Sequence, residues 1–135
     1  MTASRSPTFW IVDDSMADRI IFKESLARLG EKPRLKEIED GELLLAELDA
    51  QCSNELPDII FLDINMRRMN GKAALEIIRQ NKRYDPIYIV MHTVTYREQG
   101  ECKALGADAF ISKSTDFNAC LAKLAQTLST WQAAV

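Results

Sequence analysis

Asp58-Ile59-Ile60-Phe61-Leu62-Asp63 is a short apolar run closed by an aspartate, and two other runs share its form. Phe9 to Val12 ends on Asp13 and Asp14, and Ala109 to Ser112 ends on Lys113. If all three are strands of one parallel sheet, their carboxyl ends lie along one edge, where open α/β sheets place their ligands. Three carboxylates on that edge can hold a hard cation through oxygen, and an ammonium beside them can neutralise charge on an arriving phosphoryl group. The recurrence therefore points to phosphoryl transfer onto an aspartate.

Around these runs, short apolar segments alternate with longer ones of helical period, the pattern of a parallel sheet covered on both faces by helices. The first strand is predicted over 8–12, after a polar, Pro-ended stretch at 1–7 that reads as a flexible tail. Ser15 caps a helix carrying Ile20, Ile21, Phe22, Leu26 and Leu29, which stops at Gly30. Arg34 to Ile38 interleaves polar residues and suits an edge strand. Asp40-Gly41 turns the chain, and Leu43, Leu44, Leu45 and Leu48 carry a helix to about Ala50. The third strand is predicted over 58–62, and a helix from about Lys72 to Asn81 follows Gly71. Pro86 opens a fourth strand through Met91, rich enough in β-branched and large apolar residues to be central. A further helix ends at Leu105-Gly106, and a fifth strand spans Asp108 to Ser112. Phe117, Cys120, Leu121, Leu124, Leu128 and Trp131 mark the buried stripe of a last helix. One domain over 8–131 is expected, with 132–135 as a C-terminal tail.

A chain of 135 residues, 47% of them hydrophobic, can build one real core. Its longest apolar stretch, Ile87 to Met91, is too short to span a bilayer, and no signal-peptide core is present, so a cytoplasmic protein is expected. A net charge of −3 without a basic run gives no footprint for nucleic acid or an anionic membrane. Cys52, Cys102 and Cys120 are odd in number and lack metal-ligand spacing, so they read as reduced thiols at packing positions. His92, the single histidine, has no Ser or Cys partner at a recognised spacing and reads as incidental.

Ile11-Val12-Asp13-Asp14-Ser15, Phe61-Leu62-Asp63-Ile64-Asn65-Met66 with Met69-Asn70-Gly71 behind it, and Leu105-Gly106-Ala107-Asp108-Ala109-Phe110 leading to Lys113 together carry a family likeness. From about Phe9 to Leu128 the chain resembles the receiver domains of two-component response regulators. The resemblance implies a doubly wound α/β fold of five parallel strands and five helices, the flavodoxin-like receiver fold. It implies that Asp63 accepts a phosphoryl group from a histidine kinase or histidine phosphotransfer protein. Mg²⁺ would be bound by Asp14, Asp63 and the backbone carbonyl of Asn65, with Asp13 acting through water and Lys113 touching the phosphoryl oxygens. Phe110 matches the aromatic switch position. Self-phosphorylation from small donors and slow autodephosphorylation would be the only enzymatic acts. A downstream protein target would be met through a surface around the fourth helix, Phe110 and the last helix, biased by roughly −1.5 to −2 added charges. Homodimerisation is left open.

The chemistry supports this reading separately, because a carboxylate is a weak nucleophile that needs a metal and a cation to spread developing charge. Mg²⁺ keeps several waters, so two or three aspartates beside an open coordination position suit it. Singly the parts are bland: Asp13-Asp14 can cap a helix, and Asp63 can be a turn residue. The sequence departs from the family at three places. The fourth strand commonly ends on Thr or Ser, and counting from Pro86 or from Lys113 puts Met91 there, which cannot donate a hydrogen bond. Thr93 takes that position only if the strand runs longer and the next helix starts later, so Met91 is favoured. Arg67 stands where proline is frequent, and the Arg67-Arg68 pair reads as a solvated loop. Ser114 replaces the proline after the lysine, and a trans Lys113-Ser114 peptide is expected, since a non-proline cis bond costs about 3 kcal/mol. Two alternatives follow: a pseudo-receiver whose binding no longer depends on phosphorylation because Met91 uncouples the switch, or a receiver fragment of a longer regulator with an output domain.

Overall fold

The computed structural model describes residues 6–94 and 96–134. Strands β1 (Thr8–Val12), β2 (Arg34–Ile38), β3 (Ile59–Leu62), β4 (Tyr88–Thr93) and β5 (Ala109–Ser112) alternate with helices α1 (Met16–Arg28), α2 (Gly41–Ala50), α3 (Gly71–Arg79), α4 (Gln99–Ala104) and α5 (Phe117–Ala134). The strands pair in parallel in the order β2-β1-β3-β4-β5, so β2 is the edge strand its polar residues suggested and the order reverses at β1. That reversal opens the crevice in which doubly wound sheets bind ligands.

Because side chains alternate along a strand, the apolar runs supply two cores. Phe9, Ile11, Phe61, Val90 and Ile111 face Phe22 and Leu26 of α1 and Leu124 and Leu128 of α5. Trp10, Val12, Leu62, Ile89 and Met91 face Leu44 and Leu48 of α2, Leu75 and Ile78 of α3 and Cys102 of α4. Phe61 is gripped by Phe9 and Phe22, at ring-centroid distances of 5.6 and 4.6 Å. Each such pair contributes about 0.5–1.5 kcal/mol beyond burial, which anchors the strand that ends at Asp63. Side-chain oxygens cap three helices: Ser15 accepts from the Asp18 N–H, Asp40 from Leu43 and Asn70 from Ala73.

Several boundaries differ from expectation. β4 begins at Tyr88 because Ile87 N–H bonds back to Tyr84 in a turn, and it runs past Met91 because Thr93 pairs with Ser112. α3 stops at Arg79, and residues 82–84 form a separate 3-10 turn. α5 continues through Ala134, beyond the expected end at Trp131, since Gln132, Ala133 and Ala134 are good helix formers. At the other end the Pro7 carbonyl accepts from Arg34 N–H, so the chain is already tied to the sheet there, while residues 1–5 and Val135 lie outside the described residues. Ile20, Ile21 and Leu43 are exposed rather than packed, and Cys52 is exposed rather than at a packing position. The three thiols are free, as expected. No described helix is long and apolar enough to cross a membrane.

Candidate functional site

The sheet hydrogen bonding continues one residue past each strand: Asp13 N–H bonds to Ile38 O, Asp63 N–H to Val12 O and Lys113 N–H to Thr93 O. The three polar residues that close the apolar runs are thus fixed on one edge by the backbone. Asp13 and Asp63 are buried and Asp14 is half-buried, and one ligand oxygen from each lies within 4.8 Å of the others. Lys113 Nζ lies 2.7 Å from Asp13 Oδ2, 2.9 Å from Asp18 Oδ2 and 3.4 Å from Asp63 Oδ2.

The loops that carry these groups are held from behind. Asp13 Oδ1 accepts from Ser15 N–H at 2.9 Å, and the buried Arg19 donates to the Asp13 carbonyl at 2.6 Å while its Nε reaches Glu37 of β2 at 2.9 Å. Gly71 N–H donates to Ile64 O at 2.8 Å, and a Cβ on Gly71 would sit 2.0 Å from the Asp63 carbonyl oxygen. The acceptor loop and the start of α3 therefore touch through bare backbone. Arg68 holds a left-handed φ of 67° in that loop, with its guanidinium 3.8 Å from Asp40. Arg67 lies over Asp14, its N–H 3.2 Å and its Nε 4.0 Å from Oδ2. Both arginine side chains are mostly exposed, as a solvated loop requires, and these ion-pair contacts are long.

Burial pushes the Asp63 carboxyl up to about 6; the Lys113 charge opposes this and the Asp13 charge adds to it. Burial alone would lower the Lys113 ammonium, but hydrogen bonds to Asp13 and Asp18 and the charge of Asp63 hold it above its ordinary value. One ammonium leaves the carboxylates in negative excess, and an oxygen-only set with two or three close carboxylates suits a hard divalent cation. Asn65 lies two residues past Asp63 in the same loop, at an exposed position.

At the end of β4, Met91 is fully buried in the core and in register with Leu62 and Phe110. Thr93, at the strand's last position, is also fully buried, and among the described residues its Oγ1 is the one buried side-chain polar atom without a hydrogen-bond partner. Phe110 is half-buried under Tyr96, with the rings 6.5 Å apart, and Lys123 Nζ joins Tyr96 OH to Ser112 Oγ at 3.2 and 2.7 Å. The described peptide bonds are all trans, including Lys113-Ser114. Two participants escaped the sequence reading, Asp18 and Arg19. The available signal was helical spacing: residues three and four beyond Ser15 return to the face that overlooks Asp13.

Residues 9–125 match the family described as response regulator receiver domain. The chain belongs to that family. Among similar proteins, chemotaxis protein CheY1 of Helicobacter pylori is 34% identical over 97 residues, covering 72% of this chain and 73% of its own. A chemotaxis protein CheY homolog of Campylobacter jejuni is also 34% identical over 97 residues, covering 72% and 69%. The receiver also superimposes on the phosphorylated cyanobacterial phytochrome response regulator RcpA with a TM-score of 0.84 at 20% identity, covering 97% of both chains. It matches the Mn²⁺-bound form of response regulator Rcp1 with a TM-score of 0.79 at 25% identity, covering 93% and 94%. The fold of this receiver and its place among CheY-type regulators of two-component signalling are thereby shown.

Proposed function

We propose that this receiver accepts a phosphoryl group on Asp63 with Mg²⁺ and signals through phosphorylation-dependent protein contacts. The observation that carries the reading is the convergence of Asp13, Asp14 and Asp63 within 4.8 Å, with Lys113 Nζ 3.4 Å from the acceptor. Asp14, Asp63 and the Asn65 carbonyl would hold the cation and Asp13 would bind its waters. When bound, Mg²⁺ neutralises phosphoryl oxygens and the carboxylates around them. Rcp1, solved with Mn²⁺ bound, supports a divalent site in this fold. In acceptance, an Asp63 carboxylate oxygen forms a bond to phosphorus while the bond from phosphorus to the donor's leaving group breaks, and that group departs with the electron pair. Lys113 then offers N–H donors to the transferred oxygens. Thr93, rather than Met91, supplies the hydroxyl that reaches the phosphoryl group: its Oγ1 is buried at the strand end with no partner among the described residues, whereas Met91 belongs to the core. Movement of Thr93 would free space for Phe110 and loosen the Tyr96 contact above it. The phosphoryl source would be a histidine kinase or a histidine phosphotransfer protein, and the reader a downstream protein.

Intact mass after incubation with acetyl phosphate, with and without Mg²⁺, tests the acceptor chemistry. One added phosphoryl group is expected on wild type with Mg²⁺ and none on Asp63→Asn; labelling of that variant, or none on wild type, would overturn the reading.

A further inference from the structure

We propose that Asp18 restrains Lys113, so that the rate of phosphoryl acceptance is set by competition between this carboxylate and the arriving phosphoryl group for one ammonium. The inference rests on the function proposed above. An ammonium has three N–H donors. Two are taken at short range by Asp13 and Asp18, at 2.7 and 2.9 Å, while Asp63 is 3.4 Å away. Lys113 therefore gives its two short bonds to Asp13 and Asp18 and meets the acceptor only at the longer 3.4 Å. Asp13 has a second claim on it, from the cation waters, whereas among the described residues the Asp18 carboxylate is bonded by one side chain, Lys113.

Asp18 is also carried on a fixed base. Its N–H is capped by Ser15 Oγ at 3.2 Å, and the next residue, Arg19, is locked onto the Asp13 carbonyl and Glu37. With its backbone fixed, the Asp18 carboxylate can follow the lysine only by side-chain rotation, so movement of Nζ toward the phosphoryl oxygens stretches or breaks the Asp18 bond. Asp18 is thus a positioning residue, acting through Lys113.

The test measures the initial rate of labelling by acetyl phosphate at saturating Mg²⁺. Asp18→Asn is expected to raise it at least about threefold, the effect of weakening one charge-assisted hydrogen bond by part of its strength. Glu24→Gln, which removes an exposed carboxylate of the same helix, is expected to leave the rate unchanged. In a Lys113→Ala background, Asp18→Asn is expected to have no effect, a coupling that a merely structural role would not produce. A second readout needs neither metal nor donor: in ¹⁵N-labelled metal-free protein, proton exchange at the Lys113 ammonium is expected to quicken in Asp18→Asn. An unchanged or slower labelling rate, an acceleration that survives without Lys113, or an unaltered ammonium signal would overturn the proposal. Wild type that accepts nothing would instead defeat the acceptor function, and this inference with it.

Discussion

Gly71→Ala adds a single methyl group where α3 begins against the acceptor loop. The new carbon would lie 2.0 Å from the Asp63 carbonyl oxygen, 2.8 Å from its carbonyl carbon and 3.0 Å from Ile64 Cα. A carbon normally keeps about 3.3 Å from such an oxygen, so the helix start or the end of β3 must retreat by roughly 1.3 Å. All three obstructing atoms are backbone, and no rotamer change relieves them. Overpacking of this kind costs about 1–3 kcal/mol. The retreat also breaks the 2.8 Å bond from Gly71 N–H to Ile64 O, and a buried donor left unpaired costs a further ~1–3 kcal/mol. The expected loss is about 2–6 kcal/mol, a large part of the 5–15 kcal/mol typical of a domain. Urea unfolding followed by circular dichroism reads it directly: with a slope of about 1–3 kcal/mol per molar, the midpoint falls by roughly 2 M. The displaced Asp63 should also lose about 100-fold in acetyl phosphate labelling under conditions where the variant is still folded. Gly100→Ala is the control, since its added carbon meets nothing within 4 Å and should change stability by no more than about 1 kcal/mol. A Gly71→Ala unfolding free energy within about 1 kcal/mol of wild type would refute the contact between α3 and the acceptor loop.

Thr93→Val keeps the shape and removes the partnerless buried hydroxyl, so the unphosphorylated protein should gain about 1 kcal/mol in urea unfolding, and a loss of that size would show Oγ1 to be bonded. Asp63, at about 6, holds a proton between roughly pH 4 and 6 that the unfolded chain has lost, so it contributes stability at low pH that disappears as pH rises through 6. Asp63→Asn should therefore stabilise the metal-free protein at pH 7, with the gain vanishing near pH 4. His92 has the opposite sign: burial first, then the Lys113 charge, lowers it to about 4, so its contribution is present above about pH 6.5 and lost as pH falls toward 4. His92→Gln should flatten that acid limb in thermal melts collected from pH 4 to 7, and an unchanged limb would assign it to other groups. Arg79 donates to the carbonyls of Gly106, Tyr84 and Ile87 and to Asp108, at 2.8 to 3.1 Å. Arg79→Ala should cost about 3 kcal/mol, and Arg79→Lys should recover less than half, because an ammonium cannot span that fork; full recovery by lysine would reduce the clamp to a point charge.

The alternation of apolar runs with helical segments and the closing Asp13, Asp14, Asp63 and Lys113 were legible in the sequence, because a strand buried on both faces must be apolar throughout and polar only where it leaves the sheet. Local period also placed the cap Ser15, whereas the capping roles of Asp40 and Asn70 came only with the structure. It could not say where β4 stops, since that depends on pairing with β5: only the register of Thr93 with Ser112 puts Thr93 at the strand end and leaves Met91 in the core. Nor could it show that Ile20 and Ile21 stay exposed, that Asp18 reaches across from α1 to Lys113, or that Asp108, inside a motif leading to the site, serves the opposite edge by accepting from Ile89 N–H and Arg79. Sequence records which residues are apolar and at what local spacing. Register between strands and contact between residues 95 positions apart are decided by packing of the whole chain, because their energies exist only once both partners are in place.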